Sequence, residues 1–196
     1  NGYVNYLLTK DTRIFFNGGV NYVSPIGKRF EGFSVANGLT GNVISRFCED
    51  RHGRVWIASD DGGVMCYSPS EQRFINYPHQ DYLSKRNAHA LMVDGQELWI
   101  GTYSDGVFVL DTETGNMRHY IHSNDPHSLD NYSSYAIHRD KAGNIWVGTM
   151  QGLNRYDPKT ETFEHHGRIE SMIIDIDEDH EGNLWLSTEG MGLWHY

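Results

Sequence analysis

The sequence predicts an all-β fold, a β-propeller of four-stranded antiparallel blades, and three observations carry that prediction. One stretch is written four times, as "GRVWIASDDGGVMCYSP", "QELWIGTYSDGVFVLDT", "GNIWVGTMQGLNRYDP" and "GNLWLSTEGMGLWHY". Its tryptophans, Trp56, Trp99, Trp146 and Trp185, stand 43, 47 and 39 residues apart, close to the 40–45-residue period of single propeller blades. Other columns hold the same register: Gly63, Gly106, Gly152 and Gly192 each precede an apolar residue, and Tyr67, Leu110, Tyr156 and Tyr196 follow four positions later.

Each copy reads as four short strands. In the second they are Val43 to Cys48, Val55 to Ser59, Val64 to Tyr67 and Arg73 to Tyr77, separated by Gly, Asp, Ser and Pro clusters with no helical periodicity competing. The blades fall at approximately 1–33, 42–77, 87–120, 132–166 and 170–196. The first is a worn copy: Phe15 stands in place of tryptophan, the turn before Gly19 is short, and Phe30 and Phe33, counted from Ser24, repeat the Phe74 and Tyr77 columns. The last ends after its third strand. Such units bury one face against the next copy and stack radially until a ring closes. Residues 1–196 are therefore expected to be a single partial propeller, with exposed edges, belonging to a larger one of about seven blades.

The first hairpin of each blade carries an aspartate and a glycine, in "EDRHGRVW", "RDKAGNIW" and "EDHEGNLW". Asp50, Asp140 and Asp179 are placed to accept from the turn backbone, and the glycine supplies positive φ. In the third copy "VDGQELW" shortens this to a two-residue Asp94-Gly95 turn. Calcium ligation is the other reading of these aspartates, and it fails for want of the glutamate at position 12 of an EF-hand loop; no metal is expected. Cys48 and Cys66 fall on strands one and three of one blade, about 9–10 Å apart, which exceeds disulfide reach; both are expected free and buried.

Composition narrows the function. The chain has 196 residues, 38% of them hydrophobic, and no apolar run near the ~20 residues that span a bilayer. That length suits one all-β domain. A net charge of −10 leaves little attraction for a phosphate backbone, so nucleic acid is excluded as a partner, and no membrane contact by this chain is expected. No charged segment followed by an apolar stretch stands at Asn1, so a targeting signal is expected to have been removed or to lie upstream. Eleven histidines occur without a His-Glu-x-x-His, Gly-x-Ser-x-Gly or P-loop pattern, and adjacent His165 and His166 on a strand point to opposite faces. No catalytic residue and no cofactor is expected.

Strand order places the loop between strands two and three at the same end as the connection to the next blade, and these two loop sets form one rim. The first set contributes Asp60, Asp61, Tyr103, Ser104, Asp105, Met150, Gln151, Glu189 and Met191; the second contains "PHQDYLSKRNAH" and "IHSNDPHSLDNY". Loops on a rigid scaffold concentrate binding residues. Sugars are held by flat aromatics with amides and carboxylates, so Tyr82, Asn87, Tyr103, Asp105, Asn131 and Tyr132 are the candidate ligand-binding residues. Lys85 and Arg86 add a basic pair suited to a sulfated or uronic-acid sugar. The structural alternative is that Asn42 and Asn131 cap the start of strand one and Tyr132 packs between blades. The repeated tryptophans themselves are assigned to the core between blades rather than to sugar stacking.

Residues 124–166, "NDPHSLDNYSSYAIHRDKAGNIWVGTMQGLNRYDPKTETFEHH", closely resemble the two-component regulator propeller repeat: a Ser-Leu and Asn start, an Asp-x-x-Gly turn, Leu-Trp-Ile-Gly-Thr, Gly-Leu and Tyr-Asp-Pro. The resemblance covers copies two to five strongly and the first weakly, with Ala58 and Ser187 in place of Gly and Leu110 in place of Tyr. It implies a periplasmic sensor region of a membrane-bound hybrid two-component system of the Bacteroides type. Such a region detects oligosaccharides and controls polysaccharide-utilisation genes, with the histidine kinase and response regulator C-terminal to it and homodimerisation through the full ectodomain. The alternatives are a propeller enzyme of lyase or glycosidase type, since antibiotic-lyase propellers share a Trp-rich repeat, and a protein-interaction scaffold.

Overall fold

A computed structural model of the protein describes residues 6–9, 12–16, 20–23 and 30–196. The turn before Gly19, the Ser24 position and the side chains of Phe15 and Phe30 lie outside the described residues. The chain folds as five antiparallel sheets, each a β-propeller blade with strands in sequence order. Blade one holds β1 (Tyr6–Thr9), β2 (Thr12–Phe16), β3 (Val20–Val23) and β4 (Phe30–Phe33); blade two holds β5 (Ile44–Glu49), β6 (Val55–Ser59), β7 (Gly63–Ser68) and β8 (Arg73–Ile75). Blade three runs β9 (Ala88–Asp94), β10 (Glu97–Thr102), β11 (Val107–Asp111) and β12 (Met117–Tyr120), and blade four β13 (Ser134–Arg139), β14 (Ile145–Thr149), β15 (Gly152–Asp157) and β16 (Thr162–Arg168). Blade five comprises β17 (Ile173–Glu178), β18 (Leu184–Thr188) and β19 (Gly192–His195). One short helix, α1 (Gln80–Leu83), lies in the "PHQDYLSKRNAH" connection, where the sequence had indicated loop. The chain divides into two compact units, Asn1–Asn87 and Ala88–Tyr196.

The sequence pattern explains the blades. The second strand reads Val-Trp-Ile-Ala-Ser in β6 and Ile-Trp-Val-Gly-Thr in β14, and every position in both is buried, as expected of a continuous apolar run covered on both faces. First strands alternate, with β13 buried at Ser134 and Ala136 and less so between. In blades two to five the ladder between the first two strands shifts register at the rim end: at Ile44/Arg46, Gly101/Thr102, Ser134/Ala136 and Ile173/Asp175. A repeated bulge of this kind sets the twist of each blade and ends its pairing.

The core of the second unit lies between successive blades. Trp99, Val107 and Val109 of blade three meet Ile145, Val147, Tyr156 and Phe163 of blade four around Leu129; Trp146 and Leu153 of blade four meet Ile173, Ile176, Leu184 and Leu186 of blade five. In the first unit Leu39, Phe47, Val55, Ile57 and Met65 are packed by Phe33, Tyr67 and Phe74. Trp99 and Trp146 thus serve as inter-blade core, as the repeat spacing had indicated, whereas Trp185 is 39% exposed. The glycine column has a steric cause: at Gly63 (φ +66°) and Gly106 (φ +69°) a Cβ would sit 2.1 Å from the carbonyl oxygens of Leu83 and Tyr120, where the chain leaves for the next blade.

Candidate functional site

The rim expected from strand order is formed by direct hydrogen bonds between the two loop sets. In the first unit Asp60 N donates to Val43 O (2.9 Å), while Asn42 N and Val43 N donate to the Asp61 carboxylate (3.2 and 2.9 Å). The Ser59 hydroxyl and the Val43 N–H hold that carboxyl below its usual range. In the second unit Gly106 N donates to Tyr132 O (2.7 Å), Met150 N to Ser133 O (3.2 Å), Ile169 N to Gln151 O (3.0 Å) and Glu189 N to Met172 O (2.9 Å), and the Ser133 hydroxyl donates to Tyr103 O.

The candidate residues lie on these loops in each unit. In the first, Tyr82 is 41% exposed on α1, and the Arg86 guanidinium carbon lies 4.1 Å from its ring centre, so arginine and tyrosine form one stacked cation–π pair. Lys85 and Asn87 are exposed beside it, and the Asn87 amide donates to Asp60 Oδ1 (3.2 Å). In the second, Tyr103 and Tyr132 are 49% and 48% exposed. His89 lies 6.3 Å from Tyr103, and His122 lies 4.9 Å from Tyr132, between ring centres. Asp105 is anchored through its N–H to Thr102 Oγ1 (3.1 Å) and its carbonyl to His119 Nε2 (2.6 Å). Asn131 Oδ1 accepts from Ser133 N (2.9 Å), the local turn of the structural alternative, while the exposure of Tyr132 departs from packing between blades.

Two rim-supporting residues were missed by sequence reasoning. Asp130 Oδ1 accepts from Thr149 Oγ1 (2.6 Å) and Asn154 Nδ2 (2.9 Å), and Asp130 N donates to Asn154 Oδ1 (3.1 Å). The fully buried Asn154 thereby ties the long 121–133 connection to β14 and β15, giving the rim a rigid base. Its signal was a polar residue inside an apolar strand, "GLNRYD".

At the opposite end, the turn aspartates do more than hold the backbone. Asp50 Oδ1 accepts from His52 N and Arg54 N (2.9 and 3.0 Å), while Oδ2 accepts from Arg54 Nε (2.6 Å) and Trp56 Nε1 (2.8 Å). Asp140 Oδ2 accepts from Asn144 Nδ2 and Trp146 Nε1 (both 2.7 Å), and Asp179 Oδ2 from Asn183 Nδ2 and Trp185 Nε1 (both 3.0 Å). Burial alone would raise the Asp50 and Asp140 carboxyls; the indole N–H and neighbouring donors outweigh it and hold both low.

Blade three lacks this clasp. Asp94 pairs with Glu97 inside the ladder, and the turn falls on Gly95 and Gln96, one residue later than the Asp94-Gly95 turn read from the sequence. The tighter turn keeps Asp94 extended, and its carboxylate meets Arg139 Nε (3.1 Å). Trp99 is fully buried, and its indole N–H has no acceptor among the described residues. A cavity of about 290 Å³ opens beside it, lined by Asp94, Glu97, Trp99, Arg118, Asn144 and Tyr156 among others.

Cys48 and Cys66 flank Trp56 in one cross-strand row. Both are free; Cys66 is buried and Cys48 half-buried, where full burial was expected. Burial pushes both thiols up, Cys66 to about 12.

Comparison with known proteins agrees with this architecture. The two-component regulator propeller family model matches residues 38–61 and 128–151. A histidine kinase of Formosa agariphila is 27% identical over 170 residues, which is 77% of this chain and 12% of that one. The extracellular domain of a putative hybrid two-component system of B. thetaiotaomicron superposes with a TM-score of 0.74 at 24% identity, over 95% of this chain and 26% of that one. A streptogramin B lyase shares the fold at 14% identity (TM-score 0.69, 96% of this chain and 66% of that one). The chain therefore spans about a quarter of its solved two-component relative and an eighth of the curated kinase. In residues 38–61 and 128–151, which hold the aspartate turn and tryptophan strand of blades two and four, the chain is thus similar to the two-component regulator propeller repeat.

Proposed function

We propose that this chain is an extracytoplasmic, non-catalytic sensing module of a membrane-bound hybrid two-component histidine kinase. On this reading it detects oligosaccharides in the periplasm and controls polysaccharide-utilisation genes. The observation that carries the reading is the rim: exposed tyrosines set beside amides and carboxylates on loops locked by backbone hydrogen bonds, in repeats of the two-component regulator type. In the first unit Tyr82 offers a ring face, Asn87 a hydroxyl partner, and Lys85 and Arg86 charge for an anionic sugar; in the second, Tyr103 and Tyr132 offer ring faces and Asp105 and Asn131 hydroxyl partners. A ligand shifts such a receptor only through differential affinity for its two states, and a homodimer of the whole ectodomain supplies those states.

The test is calorimetric titration of the protein against neutral, uronic-acid and sulfated oligosaccharides. Saturable heat with one class, weakened by Tyr103→Ala or Tyr132→Ala, supports the reading. A flat response from a protein folded by circular dichroism sinks it and favours a protein-binding scaffold. Turnover of a titrated sugar would instead favour the enzyme alternative.

A further inference from the structure

His122 and Tyr132 stand near the two ends of the 121–133 connection and meet edge to face, with ring centres 4.9 Å apart and planes at 78°. The connection between them is locked along its length. Ser123 N donates to Ser128 Oγ (3.0 Å), His165 Nε2 to Ser128 O (2.8 Å) and Phe163 N to His127 O (2.8 Å). Both rings are therefore held in place before any ligand arrives, which lowers the ordering cost of binding.

Main-chain partners fix what each polar side chain presents here. His122 Nδ1 lies 2.7 Å from Leu129 O. A carbonyl can only accept, so Nδ1 carries the proton, and in the neutral imidazole Nε2 is left as an acceptor. Asn131 Oδ1 accepts from Ser133 N (2.9 Å). A backbone N–H can only donate, so the amide is oriented and Nδ2 is left with two donors. Neither His122 Nε2 nor Asn131 Nδ2 has a protein partner among the described residues, and both are open to solvent. The exposed Tyr132 ring thus has a fixed acceptor against it and fixed donors on the adjoining residue.

Charge narrows the ligand further. The 103–105 and 121–133 loops carry Asp105, Asp125 and Asp130 and no lysine or arginine, in contrast to Lys85 and Arg86 in the first unit. A carboxylate or sulfate brought to His122 Nε2 would set lone pair against lone pair in a field of like charge. A hydroxyl donates to Nε2, and its own or a neighbouring oxygen accepts from Nδ2.

We propose that the rim of the second unit selects neutral over anionic sugars, through a hydroxyl that donates to His122 Nε2 and an oxygen that accepts from Asn131 Nδ2 while the sugar ring lies on Tyr132. This deepens the rim reading and rests on it.

The experiment is calorimetric titration of the chain with neutral di- to tetrasaccharides and with their uronic-acid and sulfated counterparts. A neutral sugar should bind at least tenfold more tightly than its anionic counterparts. His122→Asn keeps a donor for Leu129 O and removes Nε2; it should bind the neutral sugar about fivefold more weakly, the effect of one neutral hydrogen bond, with its unfolding midpoint unchanged. Asn131→Asp keeps the acceptor for Ser133 N and removes the donors, and should weaken binding at least as much. A long-range proton–nitrogen spectrum of the imidazoles should show His122 as the Nδ1–H tautomer without any sugar present. Preference for an anionic sugar, wild-type affinity in His122→Asn where Tyr132→Ala binds weakly, or an Nε2–H tautomer would overturn the proposal and leave the rim reading standing. No binding of any class would overturn both.

Discussion

Blades three and five carry the same tryptophan in opposite circumstances. Trp99 is fully buried and has no clasp; Trp185 is 39% exposed and keeps its bond to Asp179. The clasp is therefore a local product of the six-residue offset and the three-residue turn, formed within one blade whether or not anything covers it. Burial is a product of the neighbour: Trp99 and Trp146 lie beneath the next blade, and Trp185 has no such cover among the described residues. One repeat motif thus encodes two separable devices, a turn lock and an inter-blade plug.

The largest test of that separation is truncation of the indole. Trp99→Ala should destabilise the second unit by about 3–5 kcal/mol, the cost of a large cavity between blades, in denaturant unfolding; Trp185→Ala should cost clearly less. Equal losses would mean that the clasp, not burial, sets the contribution. Next comes the carboxylate: Asp140→Ala leaves Trp146 and Asn144 without their charged acceptor and should cost about 2–3 kcal/mol. Asp94→Ala removes only a surface ion pair and should cost under about 1 kcal/mol.

Acid should loosen the clasp itself. Asp50 and Asp140 are held below their usual range in the folded chain. Their contribution is therefore full above the unfolded value of about 3.9 and is lost as pH falls through the lower folded value. Asp140→Asn should flatten the stability-versus-pH slope below about pH 4, read by denaturant unfolding across the acid range. A smaller effect separates the indoles by their N–H alone: Trp99→Phe should cost about 1 kcal/mol less than Trp146→Phe, because only the latter strands an acceptor. The smallest is a null: with its thiol pushed up by burial to about 12, Cys66 should resist iodoacetamide at pH 8 in the folded protein and react once unfolded, read by mass.

The blades were legible because their signals are periodic and local. Val55–Ser59 was read to the residue, and the rim followed from strand order alone. The clasp was half legible: aspartates at 50, 140 and 179 announced turns, and their constant offset to Trp56, Trp146 and Trp185 held the indole bond as well, unread. Blade three was misread by one residue because "DGQ" offers a tight turn on either side of its glycine, and pairing of Asp94 with Glu97 decided it. The Trp99 cavity was not legible, since Arg118 and Tyr156 reach it from two different blades; nor was the exposure of Trp185, which depends on what lies against it.

The bonds that join the rim loops, from Asp60 to Val43, Gly106 to Tyr132 and Ile169 to Gln151, run from main chain to main chain. Apart from Gly106, where a Cβ has no room, any residue at those positions except proline in a donor's place can make them. The platform is therefore indifferent to the letters set upon it, like a composing frame that holds whatever type it is given. The side chains at Tyr103, Asp105 and Tyr132 can be exchanged without re-solving the fold, so the chemistry of the rim is free to drift faster than its architecture.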